Sequence, residues 1–238
     1  MIPLVYDQVN GKGIDEEFFL ALMKKINVKK IADLGCGTGR LTTQFSKAGY
    51  TITAIDPNKE AIEYAKSKDY SEEVTWIIGE STHLQTNAYE AVVMTANVAQ
   101  VFLTDESWQN VISDAYRAII PGGHFIFDTR NPLAKVWEQW EHDDTPDLAT
   151  DSLNGDPLEI WTEYEGFVED VYTFYEKVKN ARTNEEIVRL KMQLKFRTEQ
   201  AIRDSLQQAG FTKIQAYGDW KFQKATADTK SFIFHCVK

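Results

Sequence analysis

The stretch that most limits how this chain can fold runs from Ile31 to Thr42 and reads Ile-Ala-Asp-Leu-Gly-Cys-Gly-Thr-Gly-Arg-Leu-Thr. Its apolar beginning is typical of a short buried strand. Three glycines at alternate positions then allow a tight turn in which the backbone can approach a ligand closely. Thr38 is in place to cap a helix that continues through Leu41 and Phe45. A strand, a glycine turn and a helix N-terminus together predict a site for a nucleotide-like ligand.

The spacing of the glycines separates several kinds of nucleotide site. A dinucleotide fingerprint has the form G-x-G-x-x-G, whereas this turn is G-x-G-x-G and continues with Arg40. A phosphate-binding loop needs Gly-Lys-Ser or Gly-Lys-Thr, and the stretch has neither. The pattern therefore disfavours both a nicotinamide-dependent oxidoreductase and a nucleotide triphosphatase.

The seven residues Asp33–Gly39 resemble the first motif of the class I S-adenosylmethionine-dependent methyltransferases, and the similarity extends over residues 6–130 and 197–238. The resemblance implies an enzyme that binds S-adenosylmethionine and releases S-adenosylhomocysteine. It also implies that the turn holds the amino-acid end of the cofactor, with the helix N-terminus near its carboxylate. The turn residues implied to bind the cofactor are Gly35, Cys36, Gly37, Thr38 and Gly39.

An acidic residue follows the second predicted strand. Asp56 comes 21 positions after Gly35 and directly after the apolar run 51–55. A carboxylate at such a strand end can accept hydrogen bonds from both hydroxyls of a ribose. Asp56 and the following Pro57 are therefore predicted to bind the cofactor. The alternative is that Asp56 only caps the next helix.

The resemblance implies further cofactor contacts on either side of this unit. Glu80 and Ser81 follow the third strand, at 74–78, and are placed to bind the exocyclic amine of the adenine. Tyr6 precedes the first predicted helix, where a tyrosine often folds over the cofactor. The alternatives are a plain loop at 80–81 and a surface or packing tyrosine at position 6.

The loop after the fourth strand lies where the transferred methyl group would emerge. Thr95 and Asn97 are predicted to contact the cofactor, and Gln100 the substrate. This loop could instead only cap the next helix. Arg130 follows the fifth strand, on the crevice side of an open parallel sheet, and can bind a substrate carboxylate or phosphate. The alternative for Arg130 is a structural ion pair.

Strands that alternate with helices predict an α/β fold with a doubly wound sheet. The resemblance implies a Rossmann-like mixed sheet of seven strands with the last one antiparallel. Residues 1–132 and 198–238 are predicted to form this core, and residues 133–197 a substrate-binding lid insert. The insert is predicted to be antiparallel because apolar and polar residues alternate strictly over 188–197. Residues 1–13 are expected to be irregular, and 143–156 to be a loop.

Charge and aromatic residues in the insert bear on the substrate. The net charge is −10, and no Lys or Arg occurs from Val136 to Glu176. Such a surface repels nucleic acid. It is either a solvated acidic face or an approach that favours a cationic or amine-bearing acceptor. Trp161 and Tyr164 are predicted to face the substrate, whereas most aromatic residues of the insert are expected to pack against the main domain.

Methyl transfer from a sulfonium requires that nucleophile, methyl carbon and sulfur be aligned and water excluded. An ammonium or hydroxyl nucleophile also needs a base, which the sequence does not assign. His142 and Tyr164 are the candidates. Two cysteines and four scattered histidines suggest neither a nucleophile nor a metal cluster.

The sequence thus predicts a methyltransferase that acts on a nitrogen or oxygen of a small molecule, without a metal. A non-catalytic S-adenosylmethionine-binding regulatory protein is the alternative. A cytoplasmic location without nucleic-acid or membrane partners is expected, because no apolar run approaches the length of a membrane span. Exposed strands of the insert could pair across a homodimer.

Overall fold

A computed structural model describes residues 2–11, 13–141, 145–152 and 154–238. Among these residues, no helix combines the length and the apolar character needed to cross a membrane. The helices are α1 Ile2–Val9, α2 Ile14–Lys25, α3 Arg40–Lys47, α4 Lys59–Lys66, α5 Asp105–Ala118, α6 Trp137–Trp140 and α7 Glu199–Ala209. The strands are β1 Lys30–Leu34, β2 Thr51–Asp56, β3 Val74–Ile78, β4 Tyr89–Met94, β5 Ile119–Arg130, β6 Asp147–Thr150, β7 Pro157–Val168, β8 Val171–Asn180, β9 Glu186–Lys195, β10 Thr212–Gly218 and β11 Ser231–Val237.

The main sheet has seven strands in the order β10-β11-β5-β4-β1-β2-β3. Strands β1 to β5 pair in parallel, whereas β11 runs antiparallel to both β5 and β10. The predicted doubly wound mixed sheet is thus confirmed. Because β1, β2, β4 and β5 are parallel, the loops that follow them meet at one edge of the sheet, which is where a ligand crevice is expected.

Helices cover both faces of this sheet. On one face, α5 buries Trp108, Val111, Ile112 and Ala115, spaced as on the apolar side of an amphipathic helix. On the other face, α2 and α3 pack against Ile31 and the neighbouring strands. Two separate apolar layers result, and they hold the carboxyl ends of the strands in fixed positions.

The insert between β5 and α7 forms its own antiparallel sheet in the order β6-β7-β8-β9. The expected loop at 143–156 therefore contains a strand, β6. Its register with β7 runs from Asp147 opposite Ile160 to Thr150 opposite Pro157. The polar composition of the segment conceals this strand because β6 lies at the edge of the sheet and has only one pairing partner.

The expectation that residues 1–13 are irregular was wrong, because they include α1. A helix of eight residues is marginal alone and depends on tertiary contacts. Val5 packs with apolar residues of the insert sheet, including Leu158 and Val178. The Gln8 side chain donates to the carbonyl of Thr150 and accepts from its N–H, both over 2.9 Å. The helix therefore bridges the core and the insert.

Candidate active site

The glycine turn follows β1 in left-handed backbone conformations. Gly35 has a φ of 75° and Gly37 a φ of 54°, values that favour glycine. The N–H of Gly35 donates to the Ile55 carbonyl over 2.7 Å, which holds the turn against β2. A Cβ added at Gly35 would lie 2.6 Å from Val98 Cγ1, whereas one at Gly37 would meet no atom within 4 Å. Gly35 thus allows close packing, and Gly37 lies at the open side of the turn.

Asp56 connects the end of β2 to this turn. Its Oδ2 accepts from the Gly37 N–H and its Oδ1 from the Asn58 N–H, each over 2.8 Å. The cap of α4 is Asn58, whose side chain accepts from the Ala61 N–H over 3.1 Å. Asp56 is therefore not the helix cap. Both of its carboxylate oxygens retain lone pairs that could accept from a ligand.

The sequence predicted that Thr38 would cap α3, and this prediction was wrong. The N-cap is Gly39, in a left-handed conformation, and no side chain caps the helix there. The Thr38 hydroxyl instead donates to Asp7 Oδ1 over 2.6 Å, and Asp7 forms an ion pair with Lys68. A hydrogen bond to a carboxylate is stronger than one between two neutral groups, which explains why the Thr38 side chain turns toward Asp7 of α1.

The turn forms one wall of a cleft with two parts. We call the first part the turn pocket, a cavity of about 90 Å³ that lies between the glycine turn, Tyr6 of α1 and the loop after β4. We call the second part the β5 pocket, a cavity of about 270 Å³ that extends from there to Asp128 and Arg130 at the end of β5. Tyr6, Arg40 and Ala96 line both parts, so the two pockets adjoin.

The loop after β4 is strained where it enters the cleft. Ala96 and Asn97 have φ values of 56° and 63°. Non-glycine residues in this region cost about 1–3 kcal/mol each, and such strain is common at ligand sites. The conformation directs the N–H of Asn97 to Asp128 Oδ2 over 3.0 Å, so the β4 loop is tied to β5.

Asp128 is fully buried at the β5 pocket. Burial raises the pKa of its carboxyl to about 7, although the Asn97 N–H and the charge of Arg130 act in the opposite direction. Within the described residues, Oδ1 of Asp128 has no hydrogen-bond partner, and the same is true of Oδ1 in Asp15 and in Asn97. Asp15 and Asp128 were missed by the sequence reasoning. The position of Asp128 at the carboxyl end of a buried strand was the signal that could have found it.

Two other groups near the turn have shifted pKa values because of burial. Asp33 is fully buried, its pKa is raised to about 7, and its Oδ2 accepts from Thr42 Oγ1 over 2.6 Å. Burial and the nearby carboxylates of Asp33 and Asp56 also raise the pKa of the Cys36 thiol. Cys36 therefore stays protonated at neutral pH, and a thiolate nucleophile is not expected there.

Two of the four predicted substrate residues, Gln100 and Arg130, are bonded to each other. Arg130 Nη1 donates to Gln100 Oε1 over 2.9 Å, and the guanidinium lies 4.9 Å from the centre of the Trp140 ring. Arg130 lines the β5 pocket, whereas Gln100 is fully buried and donates to the Lys195 carbonyl over 3.4 Å. Gln100 thus supports Arg130 from the side of the insert. The sequence analysis gave a structural ion pair as the alternative role of Arg130, but this hydrogen-bond partner is a neutral amide and not a carboxylate.

The two predicted insert residues, Tyr164 and Trp161, do not line these pockets. Tyr164 packs on Tyr172, with ring centres 6.3 Å apart, in an aromatic cluster that also contains Phe196. Trp161 lies opposite Lys177 in the register of β7 with β8, whereas the preceding residue, Ile160, lies opposite Val178. Successive side chains point to opposite faces of a strand, so Trp161 is on the face away from Val178 and α1.

The remaining predicted residues also lie outside the lining of the cleft. The Ser81 hydroxyl donates to Asp114 Oδ2 of α5 over 2.7 Å, and Glu80 caps a short turn that ends at His83. Pro57 and Gly39 are beside the turn but do not line its pocket. His142 lies outside the described residues. Across the described part of the chain, no three His, Cys, Asp or Glu side chains are grouped to hold a metal ion.

A parallel sheet with an antiparallel β11, a glycine turn after β1 and a carboxylate after β2 define the class: the chain has the fold of the class I S-adenosylmethionine-dependent methyltransferases. Residues 31–123 match a family described as a methyltransferase domain. This match covers the glycine turn, Asp56 and the loop after β4. The prediction of this class from the sequence is confirmed.

Individual relatives are similar over different lengths. A ubiquinone biosynthesis O-methyltransferase of Hydrogenovibrio crunogenus is 31% identical over 116 residues, which is 48% of this chain and 47% of that protein. The chain thus spans about half the length of this curated relative in the alignment.

Solved structures match almost the whole chain. The CcbJ methyltransferase of Streptomyces caelestis has a TM-score of 0.80 at 14% identity, covering 99% of this chain and 95% of that one. An amino pentose methyltransferase of Micromonospora echinaspora with S-adenosylmethionine bound has a TM-score of 0.71 at 14% identity, covering 100% and 96%. At such identities the likeness shows a shared fold.

Proposed function

We propose that this protein transfers a methyl group from S-adenosylmethionine to a nitrogen or oxygen of a small molecule by in-line displacement. The observation that carries the proposal is the position of Asp56. Asp56 lies behind the turn pocket and is not part of its lining, but its carboxylate accepts from the N–H of Gly37, which lines that cavity together with Tyr6. A carboxylate beside an exposed backbone turn suits a ligand with a ribose and an amino-acid end.

The residues present fit this cofactor. The space at Gly37, where an added Cβ would meet no atom within 4 Å, leaves room for a ligand against the turn. The turn Gly35–Gly39 would hold the amino-acid end, and Asp56 with Pro57 the ribose side. Glu80 and Ser81 would lie at the adenine, and Thr95 and Asn97 near the reacting end. When bound, the cofactor supplies an electrophilic methyl group on a sulfonium.

The residues of the chain align the reactants and exclude water. Tyr6 lines both pockets, so in this proposal it would lie at the boundary between the cofactor and the acceptor. Asp7, bonded to Thr38 and Lys68, holds α1 in this position. A closed, aligned site is what displacement at a methyl carbon requires, since no covalent intermediate with the protein is needed.

A small acceptor is supported by the size of the β5 pocket, about 270 Å³, and by the names of similar proteins. One relative is named a ubiquinone biosynthesis O-methyltransferase, and a similar structure is an amino pentose methyltransferase. The insert sheet beside α1 would cover this acceptor. Its acidic composition disfavours nucleic acid as the acceptor.

Two measurements test the proposal. Calorimetric titration should show binding of S-adenosylhomocysteine and not of NAD. Radiolabel from the methyl group of S-adenosylmethionine should then appear on an amine or alcohol in a metabolite panel. Absence of S-adenosylhomocysteine binding would overturn the assignment of the cofactor. Tight binding without transfer to any compound in the panel would favour a non-catalytic regulatory protein.

A further inference from the structure

The β5 pocket contains an unusual concentration of buried acceptor atoms. Five buried side-chain polar atoms in the described residues have no hydrogen-bond partner. Three of the five are oxygens of residues that line this one cavity, namely Asp15, Asn97 and Asp128. Buried polar groups nearly always have partners, so a cluster of unsatisfied oxygens indicates a missing donor.

We propose that Asp128 and Asn97 bind the amino group of the methyl acceptor, so that this protein methylates a nitrogen. This inference rests on the proposed methyltransferase function and names its substrate class. A protonated amine offers several donors, which would satisfy the Oδ1 atoms of both residues. An alcohol has one hydrogen to donate and would leave at least one oxygen unpaired.

The groups around the pocket favour a cation over an anion. Its two cationic side chains already have partners: Arg40 Nη2 lies 2.6 Å from Asp15 Oδ2, and Arg130 Nη1 donates to Gln100 over 2.9 Å. The N–H of Asn97 is also engaged, by Asp128 Oδ2 over 3.0 Å. Among the described residues, the buried side-chain atoms that lack a partner at this cavity are therefore all acceptors.

Asp128 is also suited to take a proton. The charged and titratable groups that face it are Arg130 on β5, Asp15 on α2 and Tyr6 on α1. Glu176 of the insert and Arg40 of α3 face Tyr6 in turn. Burial dominates over these charges and raises the pKa of Asp128 to about 7, so the carboxylate is a better base than an exposed aspartate.

The reaction then balances as follows. A proton passes from the ammonium nitrogen of the acceptor to Asp128, which leaves a neutral amine with a lone pair. This lone pair forms the new nitrogen–carbon bond while the methyl–sulfur bond breaks with its electrons remaining on sulfur. The methylated ammonium leaves, and Asp128 releases its proton to water.

Binding of matched probes to the protein saturated with S-adenosylhomocysteine tests this subsite. The probes are cyclohexylamine against cyclohexanol, and glucosamine against glucose, measured by calorimetry or saturation-transfer NMR. We expect the wild-type protein to bind the amine of at least one pair about tenfold or more tightly than the alcohol, as expected for one charge-assisted contact. Asp128→Asn should abolish this preference, because it removes the charge-assisted contact. Its affinity for S-adenosylhomocysteine should change less than about twofold, because the lost contact is with the acceptor and not with the cofactor.

A second variant covers the case in which Asp128→Asn does not fold. Asn97→Gly removes the amide while keeping a residue that tolerates the left-handed backbone, and it should also reduce the amine preference. Asp105→Asn changes an exposed carboxylate outside the pocket and serves as the matched control, with no expected effect.

The possible outcomes separate this inference from the proposed function. Equal binding of amine and alcohol by the wild-type protein, or a preference that survives in both variants, would overturn the inference and leave the cofactor assignment intact. A loss of S-adenosylhomocysteine affinity of more than tenfold in Asp128→Asn would also overturn it, since Asp128 would then hold the amino-acid end of the cofactor. Failure of the wild-type protein to bind S-adenosylhomocysteine would remove the function on which the inference rests.

Discussion

The hydroxyl of Thr38 donates to Asp7 Oδ1 over 2.6 Å, and this hydrogen bond joins the glycine turn to the N-terminal helix. The two residues are far apart in sequence but adjacent at the cofactor cleft. Asp7 also pairs with Lys68, at the C-terminal side of α4. The position of α1 over the turn therefore depends on a charged residue that contacts two other segments of the core.

Replacing Thr38 with valine should weaken cofactor binding. The change removes a charge-assisted hydrogen bond, so we expect unfolding free energy to fall by about 1–3 kcal/mol and affinity for S-adenosylhomocysteine to drop severalfold. Calorimetry and urea denaturation measure the two effects. Thr43→Val is the matched control, because the Thr43 hydroxyl bonds to the Gly39 carbonyl 3.1 Å away. An equal loss of affinity in both variants would contradict a specific role for the contact with α1.

Asp56→Ala should reduce affinity for S-adenosylhomocysteine by about 1–3 kcal/mol, because two ribose hydroxyls would lose their acceptor. The variant also leaves the N–H of Gly37 without its partner at 2.8 Å, which loosens the turn. Asp56→Asn retains an oxygen that can accept from the Gly37 N–H. The difference in affinity between the two variants therefore separates the loss caused by a loosened turn from the loss of the ribose contacts. Unchanged affinity in Asp56→Ala would remove this residue from the cofactor site.

Gln100→Leu should destabilise the fold. Arg130 would lose its hydrogen bond of 2.9 Å while its guanidinium remains among buried groups. Loss of a hydrogen bond to a charged group costs about 1.5–3 kcal/mol, measurable as a lower urea midpoint with an unchanged denaturant slope. Gln100→Glu supplies another acceptor and should be destabilised less. If both variants matched the wild type, Gln100 would not support Arg130.

Stability should depend on pH through Asp33 and Asp128. Both carboxyls have a pKa of about 7 in the folded chain, above the value of 3.8 for an unperturbed aspartate. The folded state then binds more protons than the unfolded state between these values, so these two groups make stability fall as pH rises from about 4 to about 7. Below about pH 4 their contribution is fully present.

Urea denaturation at several pH values measures this dependence. In Asp33→Asn the decline between about pH 4 and about pH 7 should be less steep than in the wild type, because one of the two groups no longer titrates. Asp105→Asn, at an exposed position, should retain the wild-type slope. A slope that is the same in Asp33→Asn would show that Asp33 does not titrate in this range.

The sequence predicted the parts of the structure that depend on local patterns. Glycine spacing and the carboxylate at Asp56 identified the turn and its neighbouring strand end. Apolar residues at helical spacing, Leu41 and Phe45, predicted the helix α3 after the turn, and both are buried. These features are readable because each is determined by residues close together in the chain.

Features that depend on tertiary contacts escaped the sequence. Helix α1 forms because Val5 and Gln8 contact the insert, more than 140 positions further along in the case of Thr150. The position of Trp161 away from α1 follows from the register of β7 with β8, which no local pattern states. Asp128 was overlooked because the sequence does not state which carboxylates the fold buries, or that Oδ1 of this one lacks a hydrogen-bond donor.

Helix α1 contacts the turn through Asp7 and the insert through Gln8, so it belongs to both halves of the site. A ligand that orders this helix bears the entropic cost of ordering it, and a second ligand then binds a helix that is already in place. We therefore expect S-adenosylhomocysteine and an acceptor analogue to raise each other's affinity by the same factor, as thermodynamic linkage requires. The coupling would make the order of addition immaterial to the final complex while keeping either ligand alone weakly held.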